Sequence, residues 1–416
     1  MNDADLAASV WRLERSRLIG AAAKLLHDLD EAEDCAQDAL IAALETWPRD
    51  GQPNNAAAWL MTTTRNRALD RLRRRQMLAR EHEALAADDE AAQAHVTPDF
   101  VPGLDLARER ALLGDEQLRL IFIACHPVLA REAQVALTLR LLGGLETGEI
   151  ARAFLVPEAT LAQRIVRAKK ALVGQSYELP PPDQWAERLD AVLAVVYLIF
   201  NQGHADVRTE LCDEALRLVR QLQHLLPDEG EVQGLAALLE IQASRLPARL
   251  DAEGQPVLLL EQDRRRWDRL LIRRGLAALA RAEQLSEAAG AGSYTLQAAV
   301  AACHARAARA EDTDWAAIVA GYDRLLALQH SPVVALNRAV AVSHAQGPAA
   351  AWPLLQALAQ EPRLRDYPYL AGAQADVLER LGHNADAREA YLRAAALSDS
   401  PVQQQLLRAR AAKLRG

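Results

Sequence analysis

The residues best suited to chemistry lie in one short stretch, Trp59 to Arg75, which reads WLMTTTRNRALDRLRRR. Between Arg65 and Arg80 there are seven arginines and one acid, Asp70, in a chain whose formal net charge is -8. Such a local reversal of sign is typical of a site for a polyanion, usually a nucleic acid, although a solvated basic helix is the alternative. Helical spacing places Leu60, Ala68 and Leu72 on one face and Asn66, Asp70, Arg73 and Arg74 on another. The first face is expected to pack and the second to meet a partner.

The segment before this stretch predicts a helix with an acidic face. Apolar residues recur from Ala32 to Trp47 at intervals of three and one, and Pro48 is expected to end the helix. No Lys or Arg occurs between Leu25 and Pro48, so negative charge is concentrated there. The polar face carries Glu33, Asp34, Gln37 and Asp38. This pattern fits either a solvated surface or a docking site for a protein.

Together the two helices resemble region two of bacterial RNA polymerase sigma factors of the extracytoplasmic-function (ECF) group. The resemblance is carried by DEAEDCAQDALIAAL and AAWLMTTTRNRALDRLRRR. It implies that the acidic helix docks on the beta prime clamp helices of core RNA polymerase through Glu33, Asp34, Gln37 and Asp38. It also implies that Asn66 contacts an extruded base of the minus-ten promoter element, with Asp70, Arg73 and Arg74 along the strand. An extruded base needs hydrogen bonds to its edge, and a single strand needs cations near its phosphates, so these residue types suit the roles.

A helix-turn-helix pattern follows between residues 133 and 172. We expect a helix from Ala133 to Leu142, a second from Thr147, as its cap, to Phe154, and a third from Glu158 to Leu172. On the third helix Leu161, Ile165 and Ala168 are expected to be buried, and Thr160, Gln163, Arg164, Arg167, Lys169 and Lys170 to be exposed. The first residues of such a recognition helix meet base edges in the major groove, and later basic residues meet phosphates.

This pattern resembles region four of sigma factors, which implies promoter DNA as a partner and recognition of the minus-thirty-five element. The resemblance assigns DNA contacts to Glu158, Thr160, Gln163, Arg164 and Arg167.

The segment from Glu81 to Asp105 has seven acids and no Lys or Arg, and predicts a flexible linker. We therefore expect region two in residues 1–80, an acidic linker in 81–110 and region four in 111–175. The resemblance implies that the linker threads the RNA channel of the polymerase.

Residues 176–416 form an extension with an internal recurrence. Tyr322 recurs as Tyr391, and ALQHSPV near residue 330 recurs as ALSDSPV, both at an offset of 69 residues. That offset is close to two tetratricopeptide (TPR) repeats of 34 residues, so we expect a TPR-like helical repeat domain. Residues 256–267 lack a helical stripe and predict either a loop that plugs the superhelix or a ligand site. The whole chain resembles an ECF subgroup with a TPR-like extension, which implies a modulating role and a possible regulatory protein or peptide partner.

Grouped catalytic or metal-binding residues are not found in the sequence. The four cysteines form no CxxC pair and are expected to be small buried hydrophobes. Without a Gly-rich phosphate loop, a metal set or a catalytic triad, we expect no enzyme activity, no cofactor and no metal. The longest apolar stretch, Ala191 to Phe200, is about half a membrane span, so we expect no membrane partner and a cytoplasmic protein.

The sequence therefore predicts an all-α protein with a region-two helical domain, a helix-turn-helix domain and a TPR-like repeat domain. Its predicted function is that of a sigma factor, which makes or breaks no bond. The alternative is a conventional helix-turn-helix regulator with a TPR sensor domain, which leaves the acidic face and Asn66 without a role. A scaffold built around the repeats leaves both basic helices unexplained.

Overall fold

The structure is a computed structural model that describes residues 3–86, 116–154, 156–205, 209–252, 254–287, 290–398 and 401–414. Within these ranges the regular secondary structure is helical, apart from an isolated β-bridge between Leu250 and Pro256. The all-α prediction is confirmed. The chain folds as two units, residues 1–202 and residues 203–416.

The first unit begins with three mutually packed helices, α1 (Asp3–Leu26), α2 (Leu29–Asp50) and α3 (Ala56–Ala86). Small side chains such as Ala36 and Ala68 are fully buried where the helices meet. Asp28 fixes the start of α2, because its carboxylate accepts hydrogen bonds from the first backbone N–H groups of the helix. α3 extends to Ala86, into the segment predicted as a linker. The remainder of that linker prediction, from residue 87, lies outside the described residues.

The expectation that Pro48 ends α2 is wrong, because the helix continues to Asp50. Its last turn is held by the backbone N–H of Gly51, which donates to Trp47 O at 3.0 Å. Trp47 is 1% exposed and packs edge-on against Trp59 of α3, with ring centroids 5.6 Å apart. This anchored indole keeps the chain helical past the proline, and Gly51 then stops it with a φ of 87°.

The rest of the first unit contains the helix-turn-helix. Residues 116–124 form α4, followed by α5 (Arg131–Leu141), α6 (Thr147–Ala153), α7 (Glu158–Leu172) and α8 (Trp185–Ala205). The bounds of α7 are those predicted from the sequence. α8 packs on α4, since the Phe122 and Trp185 rings lie 5.1 Å apart and Arg188 Nη2 donates to Phe122 O at 2.8 Å.

The second unit is a run of helices in which successive helices pack on one another. They are α9 (Thr209–Leu225), α10 (Gly230–Ala243), α11 (Arg269–Leu285), α12 (Ser293–Arg306), α13 (Trp315–Leu328), α14 (Pro332–Ala345), α15 (Pro348–Leu358), α16 (Pro368–Arg380), α17 (Asn384–Leu397) and α18 (Pro401–Lys413). Short 3-10 turns also occur, for example Arg264–Arg266.

The 69-residue recurrence coincides with helix boundaries in this unit. Leu328 ends α13 and Leu397 ends α17, while Pro332 and Pro401 begin the helices that follow. Each proline occupies the first helical position, where its missing N–H would have no helical partner. Since two helical pairs separate the copies, one pair corresponds to about 34 residues, as in TPR proteins. The predicted TPR-like helical repeat is confirmed.

Candidate nucleic-acid and protein interfaces

The outward face of α3 carries the residues that the sequence assigned to DNA. Asn66, Asp70, Arg73 and Arg74 are all exposed. Arg73 Nη1 lies 3.3 Å from Asp70 Oδ1, one turn away on the same face. Such an exposed pair contributes little to stability, so the fold leaves this face open to a partner. The predicted division of α3 into a packed face and an outward face is confirmed.

A second row of arginines on α3 points toward α2. Arg71 lies between two carboxylates, with Nη1 3.3 Å from Asp34 Oδ2 and Nη2 3.2 Å from Asp38 Oδ2. Arg67 Nη1 lies 3.7 Å from Asp38 Oδ2. Further along the helix, Arg75 Nη1 lies 3.5 Å from Glu31 Oε2 of α2 and donates to Leu26 O at the end of α1. Part of the basic charge of α3 therefore holds its own domain together.

Sequence reasoning missed this pairing, although a signal was present. Arg67, Arg71 and Arg75 recur at intervals of four, which places them on one helical stripe. On α2 an acidic stripe with matching spacing includes Asp34 and Asp38. Two stripes of opposite charge at helical spacing on adjacent helices predict a packed pair. From the sequence, Arg73 and Arg74 were assigned to DNA, and Arg67, Arg71 and Arg75 were given no partner.

The four acidic-face residues have different surroundings. Asp34 and Gln37 are exposed, and Asp38 is partly buried beneath the α3 arginines. The Glu33 side chain is 17% exposed and lies 3.4 Å from the Arg15 guanidinium of α1. The structure thus brings the predicted residues to one face of α2, but only Gln37 and part of Asp34 are open there.

The helix-turn-helix differs from its prediction at the cap of α6. The N-cap is Glu146 rather than Thr147. Its side chain accepts from the backbone N–H of Glu149, and the Glu149 carboxylate accepts from the backbone N–H of Glu146 at 2.7 Å. This reciprocal capping box satisfies two backbone donors at once, which a threonine one residue later would not do. The predicted first helix begins at Arg131 and ends at Leu141.

The predicted DNA-facing residues of α7 lie together at the surface. Thr160, Gln163 and Arg167 are exposed, and Arg164 is partly buried. All four line a groove of about 320 Å³ against residues 128–130 and 133. Leu161, Ile165 and Ala168 are buried on the other side, as predicted.

Two charged residues of α7 lie against neighbouring elements, the exposed Glu158 and the buried Lys169. A Cβ placed on Gly148 of α6 would lie 3.2 Å from Glu158 Oε2, so the Glu158 carboxylate lies over the first turn of α6. Lys169 was expected to be exposed, and that prediction is wrong, because the residue is 8% exposed. Its ammonium lies 2.7 Å from both Asp30 Oδ1 and Glu33 Oε2 of α2. The Lys169 side chain is buried because it reaches the start of α2, an acidic helix far away in sequence.

The segment 250–268 of the second unit is anchored by a buried arginine. Arg264 is 7% exposed and donates to His304 O at 2.6 Å and Ala307 O at 2.7 Å, at the end of α12. Its guanidinium also lies over the Trp267 ring, 4.9 Å from the centroid. Free helix-end carbonyls are favourable partners for a cation. The segment is therefore fixed to the repeats.

A second feature of this unit is a groove of about 590 Å³ between α15, α16 and α17. Its walls combine aromatic side chains, Trp352 and Tyr367, with two arginines, Arg365 and Arg393, and two acids, Asp386 and Glu389. An open groove with mixed apolar and charged walls is suited to an extended peptide rather than to a small apolar molecule.

The described residues contain no group of three or more His, Cys, Asp or Glu side chains that could hold a metal ion. Cys35, Cys125 and Cys212 are buried, Cys303 is partly buried, and all four are free thiols. Burial raises the pKa of Cys125 to about 11, so this thiol stays protonated at neutral pH. Among the described helices, none combines the length and the apolar character that crossing a membrane requires.

Three family models match the chain. Sigma-70 region 2 matches residues 10–77, which span most of α1 to α3, and Sigma-70, region 4 matches residues 119–172, which span α4 to α7. A family of unknown function (DUF6596) matches residues 188–283. The two sigma models thus cover both candidate interfaces, in the expected order.

Relatives agree with these matches. An uncharacterized protein of Rhizobium meliloti (strain 1021) is 44% identical over 393 residues, covering 92% of this chain and 90% of that protein. The RNA polymerase sigma-H factor of Pseudomonas aeruginosa is 29% identical over 38% of this chain and 78% of its own. The ECF RNA polymerase sigma factor SigK of Mycobacterium bovis is 26% identical over 38% of this chain and 79% of its own.

Among solved structures, yeast Tom70 covers 99% of this chain and 84% of its own at a TM-score of 0.36 and 11% identity, a level that does not establish a common fold. The extension is identified instead by its own paired helices and their 69-residue recurrence. Two sigma models in the right order, relatives named as sigma factors over 38% of the chain and the TPR-like repeat of the second unit lead to one conclusion. The chain belongs to the ECF group of RNA polymerase sigma factors and carries a C-terminal TPR-like extension.

Proposed function

We propose that this sigma factor binds core RNA polymerase through the acidic face of α2, opens promoter DNA with α3 and anchors upstream DNA with α7. The observation that carries the proposal is the division of α3. One row of arginines holds α2, whereas a second row, with Asn66, is exposed and contributes little to the fold. A surface that the fold does not use, and that reverses the overall sign of the chain, fits a nucleic-acid partner.

The outward face of α3 has the groups that an opened strand needs. The amide of Asn66 can donate and accept hydrogen bonds at once, which suits the edge of an extruded base. Arg74 makes no ion pair within the described residues, and its guanidinium can meet a phosphate. Arg73, paired with Asp70, can exchange that carboxylate for a phosphate at little cost.

The exposed residues of α7 fit duplex DNA. Thr160 and Gln163 lie in the first half of the helix, where side chains reach base edges in the major groove. Arg164 and Arg167 follow one turn later and can reach bases or phosphates. Glu158 faces α6, so its proposed contribution is to orient the start of α7 and only secondarily to contact DNA.

The TPR-like extension is proposed to modulate this activity by binding a regulatory protein or peptide. The groove between α15, α16 and α17 supports this role, because its walls combine aromatic side chains with groups of both charges, as a peptide-binding surface requires. The acidic segment after α3 is proposed to act as the linker between regions two and four. As a sigma factor the chain itself is not an enzyme, since bond formation belongs to the polymerase.

The test is transcription from the protein's own upstream region with purified bacterial core polymerase. The full chain should initiate specifically, and a chain ending at residue 205, after α8, should still initiate. A faster rate in the shorter chain would show that the extension inhibits initiation, and a slower rate would show that it activates it. Asn66→Ala should lower open-complex formation by about tenfold, the loss of roughly one hydrogen bond, with little effect on core binding. Gln76→Ala removes an exposed amide from the same helix outside the predicted contacts, and serves as the control.

The outcome decides between two functions. If the full chain bound duplex DNA but neither bound core polymerase nor initiated, the conventional helix-turn-helix regulator would replace this proposal. If the Asn66 variant opened promoters normally, the sigma reading would survive but the assignment of Asn66 to an extruded base would not.

A further inference from the structure

Region four is docked on region two in this structure, and Lys169 lies at the centre of the contact. The Lys169 side chain is 9% exposed, and its ammonium is 2.7 Å from one carboxylate oxygen each of Asp30 and Glu33. Burial acts to lower the pKa of Lys169, but the two carboxylates outweigh it and the pKa is raised. The lysine therefore stays charged across the physiological range, and the contact is a buried cation between two anions.

Other contacts join the same two regions. Arg15 of α1 donates to Arg140 O of α5 at 2.9 Å and lies 3.4 Å from Glu33 Oε1. Gln117 of α4 donates to Ser16 Oγ of α1 at 2.9 Å, and both side chains are buried. The contact thus includes α1, α2, α4, α5 and α7. Its extent marks it as a packed interface rather than a single surface ion pair.

The closest approach in this interface is between two backbones. At Gly20 of α1, an added Cβ would lie 2.3 Å from Glu116 O of α4, well inside van der Waals contact. The missing side chain lets the helices meet there. Gly20 lies inside α1 and has no positive φ, so alanine suits the helix itself. Only the docked arrangement requires glycine at this position.

The docked arrangement conflicts with the proposed function in two ways. Glu33, one of the proposed polymerase contacts, is occupied by Lys169 and Arg15. In addition, elements centred at minus ten and minus thirty-five are separated by about 85 Å at 3.4 Å per base pair. A 15-residue helix such as α7 is only about 22 Å long, and here it is attached to α2.

We propose that the free sigma factor rests in this closed form, in which α7 covers the start of the α2 acidic face and competes with core polymerase for it. Docking on polymerase frees Lys169 and releases region four to reach the upstream element. The inference rests on the proposed function, because it concerns the regulation of the same docking face. Since the apparent affinity for polymerase is reduced by the fraction of chain that is open, loosening the closed form must strengthen binding.

The test uses the full chain with Gly20→Ala, which wedges α1 and α4 apart without changing a charged or docking residue. Lys169→Ala is the second variant, which removes the cation between Asp30 and Glu33. It is included in case Gly20→Ala impairs folding. Gly372→Ala in α16 is the matched control, because it also replaces a helical glycine but meets open space. Hydrogen exchange reports opening in the absence of polymerase, and fluorescence titration with purified core polymerase reports affinity.

Gly20→Ala is expected to increase exchange around residues 16–20 and 116–120 and to tighten core binding by about tenfold or more, as for a closed form that dominates its open form. Lys169→Ala should act in the same direction, and Gly372→Ala should match the wild type. Unchanged exchange in both interface variants would show that the closed form is absent in solution. Increased exchange with unchanged core affinity would also overturn the proposal, while leaving the sigma function intact. If no variant and no wild-type chain bound core polymerase, the proposed function itself would fail.

Discussion

The two basic helices of the first unit, α3 and α7, use their positive charge in different ways. On α3, the row through Arg71 pairs with carboxylates of α2, and the row through Arg74 is left exposed. On α7, Thr160, Gln163 and Arg167 are exposed, and Lys169 is buried in a contact with another region. The comparison teaches that the number of basic residues on a helix does not measure its DNA surface. The register of each residue against the neighbouring helix decides its role.

The largest expected effect separates the two rows of α3. Arg71→Glu places a third carboxylate beside Asp34 and Asp38, and should lower the free energy of unfolding of the first unit by about 2–3 kcal/mol, less than for a fully buried pair. Arg74→Glu makes the same charge change on the outward row and should alter stability by less than about 0.5 kcal/mol. Chemical denaturation of the two variants measures the difference.

For DNA affinity we expect the opposite order, with Arg74→Glu causing a larger loss than Arg71→Glu. Arg74→Glu should weaken binding to single-stranded promoter DNA, because it replaces a phosphate partner with an anion. If Arg74→Glu proved as destabilising as Arg71→Glu, the two rows would not be distinct and the comparison would collapse.

A smaller effect is expected on α7. Arg167→Ala should weaken binding to duplex DNA carrying the upstream element by about 1–2 kcal/mol and should relax the sequence preference if the guanidinium meets a base. Lys170→Ala, near the C-terminal end of the same helix, should weaken binding to all duplexes equally. It should also reduce by about one the number of counterions released on binding, which the salt dependence of the affinity measures. Titrations at several salt concentrations distinguish these results. Equal, sequence-independent losses in both variants would assign Arg167 to phosphate.

The local features of both helices could be predicted from the sequence, because they depend on spacing within one element. The exposed face of Asn66 and Arg74 and the bounds of α7 follow from helical periodicity and turn residues. The sequence could not place Lys169, since its partners are more than a hundred residues away and depend on how two domains pack. Nothing local distinguishes a basic residue that will be buried from one that will be exposed.

Two errors at helix ends have a related cause. Propensity favours Thr147 as a cap and Pro48 as a stop, and both are reasonable averages. The structure uses Glu146, because Glu149 completes a reciprocal capping box with it. It extends α2 past Pro48, because the buried Trp47 anchors the last turn. A local capping box moved the start of α6 by one residue, and a tertiary contact of Trp47 moved the end of α2 by two, without changing either element.

The smallest expected effect concerns the acidic face of α2 and gives the cleanest test of docking there. Asp34 contributes both to the exposed face and to the ion pair with Arg71, so its substitution would mix loss of folding with loss of binding. Gln37 is exposed, and its side chain makes no hydrogen bond within the described part of the chain, so Gln37→Ala should leave stability unchanged. If its amide contacts the polymerase, core affinity should fall by about 1 kcal/mol, the net contribution of one hydrogen bond. Asp34→Ala is the comparison variant, because its loss of folding free energy can be measured by denaturation and subtracted. If Gln37→Ala bound core polymerase with unchanged affinity, the docking surface would lie away from this face.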